Sequence, residues 1–370
     1  MFRRASVLLV AAAFALGGCS RKTADAPAAP IAGGAAGGAV AVASVGDAGT
    51  PTAEADPAAP ASAGPAADGA SSDEAAWNAM AAGSGAAGKG PFLWKVEGRT
   101  PLYLFGTIHV PDDRVLALPP SVVKAFDEAS AVYTEIPMDS ATQMGIMGKV
   151  MLPDGTQLSE VIGQPLYDRM TAAAEKTLGA EHAGMGAMLG PLFQRMKPWA
   201  AMSQLSLLEF LPEMMAGKQP LDSMLYAKAQ SDGKKVGALE TPDEQISVFE
   251  SFSTREQIRM LELTLDEIER VKPGGRTQTQ ELIDAYLSGD MAVVSQVMDD
   301  AMSGDRALMA RFQDIAITKR NNHMTERILA LRREQPATVF FVAVGTAHYA
   351  GPTGIVAQLQ KAGLKVARVP

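Results

Sequence analysis

Cysteine is almost missing from this chain: one residue, Cys19, in 370. No intramolecular disulfide can form, so any folded domain is held together by its core alone. Clusters of Lys and Arg are also absent. Acidic residues outnumber basic ones 41 to 33, the formal charge is −8 and the pI is near 5.2. That balance argues against nucleic acid as a partner, because phosphate binding needs grouped cations. The apolar run Val7–Leu16 is too short to span a bilayer. A local zinc motif of the His-Glu-x-x-His kind is missing too, and only four histidines occur, at 109, 182, 323 and 348.

What is present divides the chain into three parts. Arg3 and Arg4 precede the apolar run, which ends in Leu16-Gly17-Gly18-Cys19. A basic start, a short apolar stretch and small residues before a cleavage point make an export signal over residues 1–19. Its end resembles the bacterial lipobox, which implies that Cys19 is acylated and becomes the lipid anchor. Ser20 after it is compatible with outer-membrane sorting, so a periplasm-facing envelope location is expected. Residues 20–90 are nearly all Ala, Gly, Pro and Ser with scattered acids. Such a composition buries too little apolar area to offset chain entropy and reads as a disordered tether. Residues 91–370 are then one α/β domain.

The domain opens with two β-prone runs, Phe92–Glu97 and Leu102–Phe105, joined by a turn-rich gap that suggests a hairpin. The second run leads into Gly106-Thr107-Ile108-His109. Helical spacing follows over Pro120–Ala129, then a strand over Ala131–Ile136 that carries Glu135. The same order returns at the C-terminus: the run Thr338–Val344, Gly345-Thr346-Ala347-His348, a helix near Gly354–Ala362 and a strand at Leu364–Val369. Two βαβ-like units at the domain ends predict a mainly parallel or mixed sheet. Between them lie a further strand at Lys235–Leu239, a methionine-rich helical insertion over about Asp139–Met215, and one or two amphipathic helices over Arg306–Arg333. Thr241-Pro242-Asp243-Glu244 carries a capping box, and Thr254 with Gln257 looks like another.

Two of the four histidines thus occupy the same place in two Gly-Thr-x-His units, just beyond strand ends, where ligands of parallel sheets bind. Glu135 and Glu240 fall at comparable ends. Gly106 and Gly345 permit close backbone approach to a bound group, and the Thr107 and Thr346 hydroxyls can orient the adjoining loops. Two imidazoles and a carboxylate form a recurrent divalent-metal set that acidifies water and polarises a carbonyl. The alternative is that both histidines brace the sheet edge. Glu240 is an acid/base group, a metal ligand or a cap for the helix that Pro242 opens. Asp222 reads better as a helix cap, and Arg320, Asn321 and His323 by pattern alone lie on a solvated helix face.

These segments together resemble the TraB/PrgY/GumN family, to which animal Tiki proteins are related. The resemblance rests on Leu93-Trp94-Lys95-Val96, Leu104–His109, the strand bearing Glu135, Leu221-Asp222, Gly237–Thr241 with Glu244-Gln245, Arg320-Asn321 and Gly345–His348. It implies a fold similar to that of ChaN and erythromycin esterase-like proteins, and a metal-dependent peptidase site of His109, His348 and Glu135. In that site Glu240, Arg320 and Asn321 give polar or catalytic support, with Arg320 holding Glu135 or a substrate carboxylate. The expected function is an envelope-anchored metal-dependent hydrolase of a peptide or small molecule. A lipoprotein that binds peptide, haem or metal without turnover, and an accessory envelope protein, are the alternatives.

Overall fold

The structure is a computed structural model that describes residues 89–370 apart from 180, 181, 183, 273, 302 and 303. The expected export signal, the acylated Cys19 and the linker up to residue 88 lie outside the described residues.

Six strands form one mixed sheet: β1 (Leu93–Val96), β2 (Leu102–Thr107), β3 (Ala131–Thr134), β4 (Lys235–Ala238), β5 (Phe340–Gly345) and β6 (Val366–Arg368), in the order β4-β3-β5-β2-β1-β6. The hairpin is real, with β1 antiparallel to β2 from Leu93 opposite Phe105 to Val96 opposite Leu102. Strands β4, β3, β5 and β2 are parallel. Both βαβ-like units therefore exist, but neither joins neighbouring strands. The first steps from β2 over β5 to β3, and the second runs from β5 past β2 and β1 to the far edge.

Strand residues point alternately to two apolar layers, as the period of two requires. Tyr103, Phe105, Val132, Phe341 and Ala343 pack with Val122 and Phe126 of the helix Pro120–Glu128 and with Leu221 and Leu225 of the helix Leu221–Ser231. Leu104, Tyr133, Phe340, Val342 and Val344 pack the other way, against Met324, Ile328 and Leu331 of the helix Arg320–Glu334. With both faces covered, the middle strands are continuous apolar runs rather than alternating ones. A further core joins the insertion to the helices Pro242–Glu250 and Thr254–Arg270, with Trp199 stacked on Phe249 at a ring-centroid distance of 4.9 Å.

The capping box at Thr241 forms as expected, its hydroxyl accepting from the Glu244 N–H. The second lies one residue earlier than expected. Ser253, not Thr254, caps the helix Thr254–Arg270, because its hydroxyl takes the Glu256 N–H while the Glu256 carboxylate accepts from the Ser253 N–H. The stretch Arg306–Arg333 is also less regular than its period suggests: a π-helical segment, Gln313–Lys319, separates the helix Arg306–Phe312 from Arg320–Glu334. One extra residue per turn re-aims whatever follows it, here Arg320.

Gly106 packs where no side chain fits. A Cβ there would lie 2.8 Å from Thr346 Oγ1 and 2.9 Å from Phe92 Cβ. Gly106→Ala should therefore destabilise the domain by about 1–3 kcal/mol, the usual result of overpacking. Urea unfolding would show it as a lower midpoint at unchanged slope; an unshifted midpoint would mean that the strands part without strain.

Candidate active site

The parallel strands end along one edge, and their last residues and following loops supply the site. The β2/β5 register sets Thr107 opposite Gly345, so the two Gly-Thr-x-His units sit side by side with a one-residue stagger. Glu135 follows β3, on the other side of β5, and Glu240 follows β4 beyond it.

Glu135 is the centre of the cluster, buried at 4 % exposure. Its Oε1 accepts from the Gly345 N–H at 2.8 Å. Its Oε2 accepts from Arg320 Nη2 at 2.5 Å and from Gln245 Nε2 at 3.1 Å. His109 Nε2 and His348 Nε2 each stand 3.9 Å from Oε1. Gly345 makes the convergence possible, because a Cβ would lie 3.1 Å from Glu135 Oε1 and 3.4 Å from His109 Nε2.

Each imidazole is held from behind. His109 Nδ1 donates to Asp222 Oδ2 at 2.6 Å, and the other Asp222 oxygen accepts from the Thr107 hydroxyl at 2.6 Å. His348 Nδ1 donates to Asn321 Oδ1 at 2.7 Å; the Asn321 amide is itself fixed by donating to the Thr353 carbonyl at 2.9 Å. In both rings Nε2 is the atom left facing Glu135.

Arg320 links the rest. It forks onto Glu240 through Nε, at 3.1 and 3.0 Å, and through Nη2 at 2.6 Å, and its Nη1 donates to His348 Nε2 at 3.2 Å. One guanidinium thus serves two buried carboxylates. Burial opposes ionisation of Glu135, but Arg320, His109 and the Gly345 N–H hold its pKa well below the carboxylate range. Glu240 goes the other way: burial, with Glu135 adding repulsion, outweighs Arg320 and raises it. His348 is lowered to about 3 by burial and by Arg320, so it is neutral near pH 7. Burial pulls His109 down as well, yet the Asp222 charge and hydrogen bond, with Glu135, lift it to about 9.

The structure brings His109, Glu135, His348, Glu240, Arg320 and Asn321 together. Glu240, Arg320 and Asn321 stand behind the cavity rather than along it: Arg320 touches Glu135 and His348, Asn321 touches His348, and the Glu240 carboxylate bonds Arg320. Arg320 and Asn321 are buried at 7 % and 0 % exposure rather than on a solvated face. Asp222 does not cap a helix. It lies inside the first turn of Leu221–Ser231, where its carboxylate is spent on Thr107 and His109. Gly106, expected to let backbone approach a bound group, is instead packed by Phe92 and Thr346. Thr107, Gly345 and Thr346 line the cavity, and the Thr346 hydroxyl donates to the Thr107 carbonyl at 2.9 Å. Gln245, missed as a separate site residue, carries only one signal, its place beside Glu244 in the resemblance. His323, near Glu244, and His182, near the Leu178 carbonyl, stay apart from the cluster.

A family model for the TraB/PrgY/gumN family matches residues 92–368. The chain belongs to that family. Curated relatives include the metalloprotease TIKI1 of Danio rerio, 28 % identical over 75 % of this chain and 63 % of its own length, and that of Homo sapiens, 28 % identical over 75 % and 62 %. The metalloprotease TIKI homolog of Nematostella vectensis is 27 % identical over 74 % and 66 %. The chain thus spans less than two thirds of these relatives. No solved structure matches it.

His109, His348 and Glu135 fit a divalent cation in donor type. Histidine ligands are ordinarily buttressed through their second nitrogen, as both are here. With the side chains in their present positions, no three His, Cys, Asp or Glu among the described residues form a ready coordination sphere. Arg320 Nη1 on His348 Nε2 stands in the way, so occupancy requires that contact to yield.

Two measurements test this electrostatic account. Arg320→Met leaves two buried carboxylates without a cation and should lower stability by about 3–5 kcal/mol in denaturant unfolding; a loss below 1 kcal/mol would mean that water reaches them. In the metal-free protein, imidazole NMR should find His109 titrating near pH 9 and moving down by more than a unit in Asp222→Asn, while His348 stays neutral to about pH 3. The signs differ. The His109 contribution to stability is complete below the ordinary 6.5 and fades as pH climbs through about 9; that of His348 is complete above 6.5 and is lost as pH falls toward about 3.

Proposed function

We propose that the chain is a metal-dependent hydrolase of peptide bonds, exported and lipid-anchored through Cys19 in the cell envelope. The observation that carries the reading is the pair of tethered imidazoles, both turning Nε2 to one oxygen of a buried glutamate at the carboxyl edge of the sheet. The names of the TIKI relatives support the same chemistry. The order of residues in the first 20 positions supports the envelope location, with Ser20 favouring the outer membrane.

His109, His348 and Glu135 would hold the ion, which when bound polarises the scissile carbonyl and acidifies a water. The chain's own groups prepare this. Arg320 keeps Glu135 ionised, Asn321 fixes the His348 tautomer with its Nε2 lone pair inward, and Asp222 aims His109 Nε2 into the cavity. Glu240 balances the Arg320 charge from behind.

One feature favours a second reading without an ion. Because Arg320 already occupies His348 Nε2, His109 with Asp222 behind it has the geometry of a general acid/base working alone. Metal analysis of the full chain purified without chelator separates the two. The metal reading expects about one divalent ion per chain, lost with peptide cleavage in His109→Ala/His348→Ala, and about 10–100-fold weaker retention in Asp222→Asn or Asn321→Ala. Cleavage that survives exhaustive metal removal selects the second reading. A protein that neither takes up an ion nor cuts any peptide is not this hydrolase.

A further inference from the structure

Against His109, Glu135 and His348 opens a cavity of about 70 Å³. The three site groups form its floor. Its far walls come from elements outside the catalytic cluster: Leu282 and Tyr286 of the helix Gln278–Leu287, and Val294, Val297 and Met298 of the helix Met291–Ala301. The Tyr286 hydroxyl is already committed, donating to the Gly106 carbonyl at 2.9 Å, so the tyrosine offers the cavity mainly its ring.

Among the described residues no Lys, Arg or Asp lines this space, and the one carboxylate among them, Glu135, belongs to the floor. A charged side chain entering it loses hydration and finds no partner on the walls, which is unfavourable; an aliphatic or aromatic one gains apolar contact. The polar atoms at hand, from the half-buried Gln278, suit an amide group of a peptide backbone. Met298 has a side chain that adapts to differing shapes.

We infer that this cavity is the side-chain pocket of the site, and that the peptide it accepts carries an aliphatic or aromatic residue beside the bond to be cut. The inference rests on the hydrolase reading of the floor, and it assigns Val297 and Leu282 as specificity residues that take no part in the chemistry. Both are only partly buried, so they tolerate replacement better than the core around them.

The test uses the full chain and end-blocked peptides identical except for one position, occupied by Leu, Phe, Ser or Asp. Cleavage in competition is followed by mass spectrometry, and binding of Ac-Gly-Phe-Gly-NH2 against Ac-Gly-Ser-Gly-NH2 by saturation-transfer NMR. Leu and Phe peptides should be cut roughly 100-fold better than Ser or Asp ones. Val297→Asp should shrink that ratio at least about tenfold, and Val297→Phe, which keeps the wall apolar while filling the space, should penalise Phe more than Leu. Equal cutting of all four peptides overturns the pocket and leaves the hydrolase standing. No cutting, but Phe-selective binding that Val297→Asp abolishes, supports the pocket and sinks the hydrolase. Neither cutting nor selective binding overturns both.

Discussion

A single buried guanidinium governs the carboxyl edge of this sheet. Arg320 bonds Glu135, Glu240 and His348 at once, and all four are nearly out of water. Burying ions is unfavourable by several kcal/mol each unless every one is paired, so the arrangement is poor value as a source of stability. Its effect is on protonation. One positive charge between two acids cannot hold both equally: Glu135, closer to the imidazoles and a backbone N–H, is driven down, and Glu240 is left raised. Burial, reinforced by the same charge, keeps His348 neutral. Moving Arg320 would therefore reset several groups together, and that couples any ion or substrate reaching His348 Nε2 to the state of both glutamates.

The two Gly-Thr-x-His units share a place on the sheet without sharing an environment. Their strands are neighbours and parallel, so the motif positions fall within one residue of each other. Behind His109 stands a carboxylate, Asp222; behind His348 stands an amide, Asn321. The anion favours the charged ring and the amide does not, and Arg320 beside His348 widens the gap. One motif thus yields an imidazole that protonates easily and one that resists protonation. Two groups pushed apart in this way are the condition for dividing acid and base or ligand roles within a small site.

Much of this was legible in the sequence because strands β2, β3 and β5 are largely apolar runs, each followed within three residues by one with chemistry: His109, Glu135, His348. Scarcity helped, since four histidines leave little room for coincidence. Asp222 was misread because an acid near a helix start has an ordinary capping role, and nothing local reveals that Thr107 and His109 stand above it. Arg320 and Asn321 hid in a polar helical stretch, where the π segment before them breaks the period by which buried faces are recognised. The Ser253 cap was displaced for a simpler reason, two hydroxyl residues in succession with suitable partners three positions on. The cavity walls were invisible: Leu282, Val294 and Val297 are ordinary apolar helix residues until the fold turns them toward the histidines.

That placement ties recognition to chemistry through the dielectric. Electrostatic interactions weaken as water enters, and the Glu135 cluster lies at the base of a cavity with apolar walls. An apolar side chain filling the cavity displaces water from above His109 and His348 and brings its own backbone amide to the floor. The fields of Glu135 and Arg320 then act across a drier gap, where each is stronger than in the open site. A polar side chain in the same space would retain water and forfeit part of that gain. Selectivity for apolar residues would then appear in the rate of bond cleavage as well as in binding, because the occupant completes the low-dielectric surroundings in which the floor works.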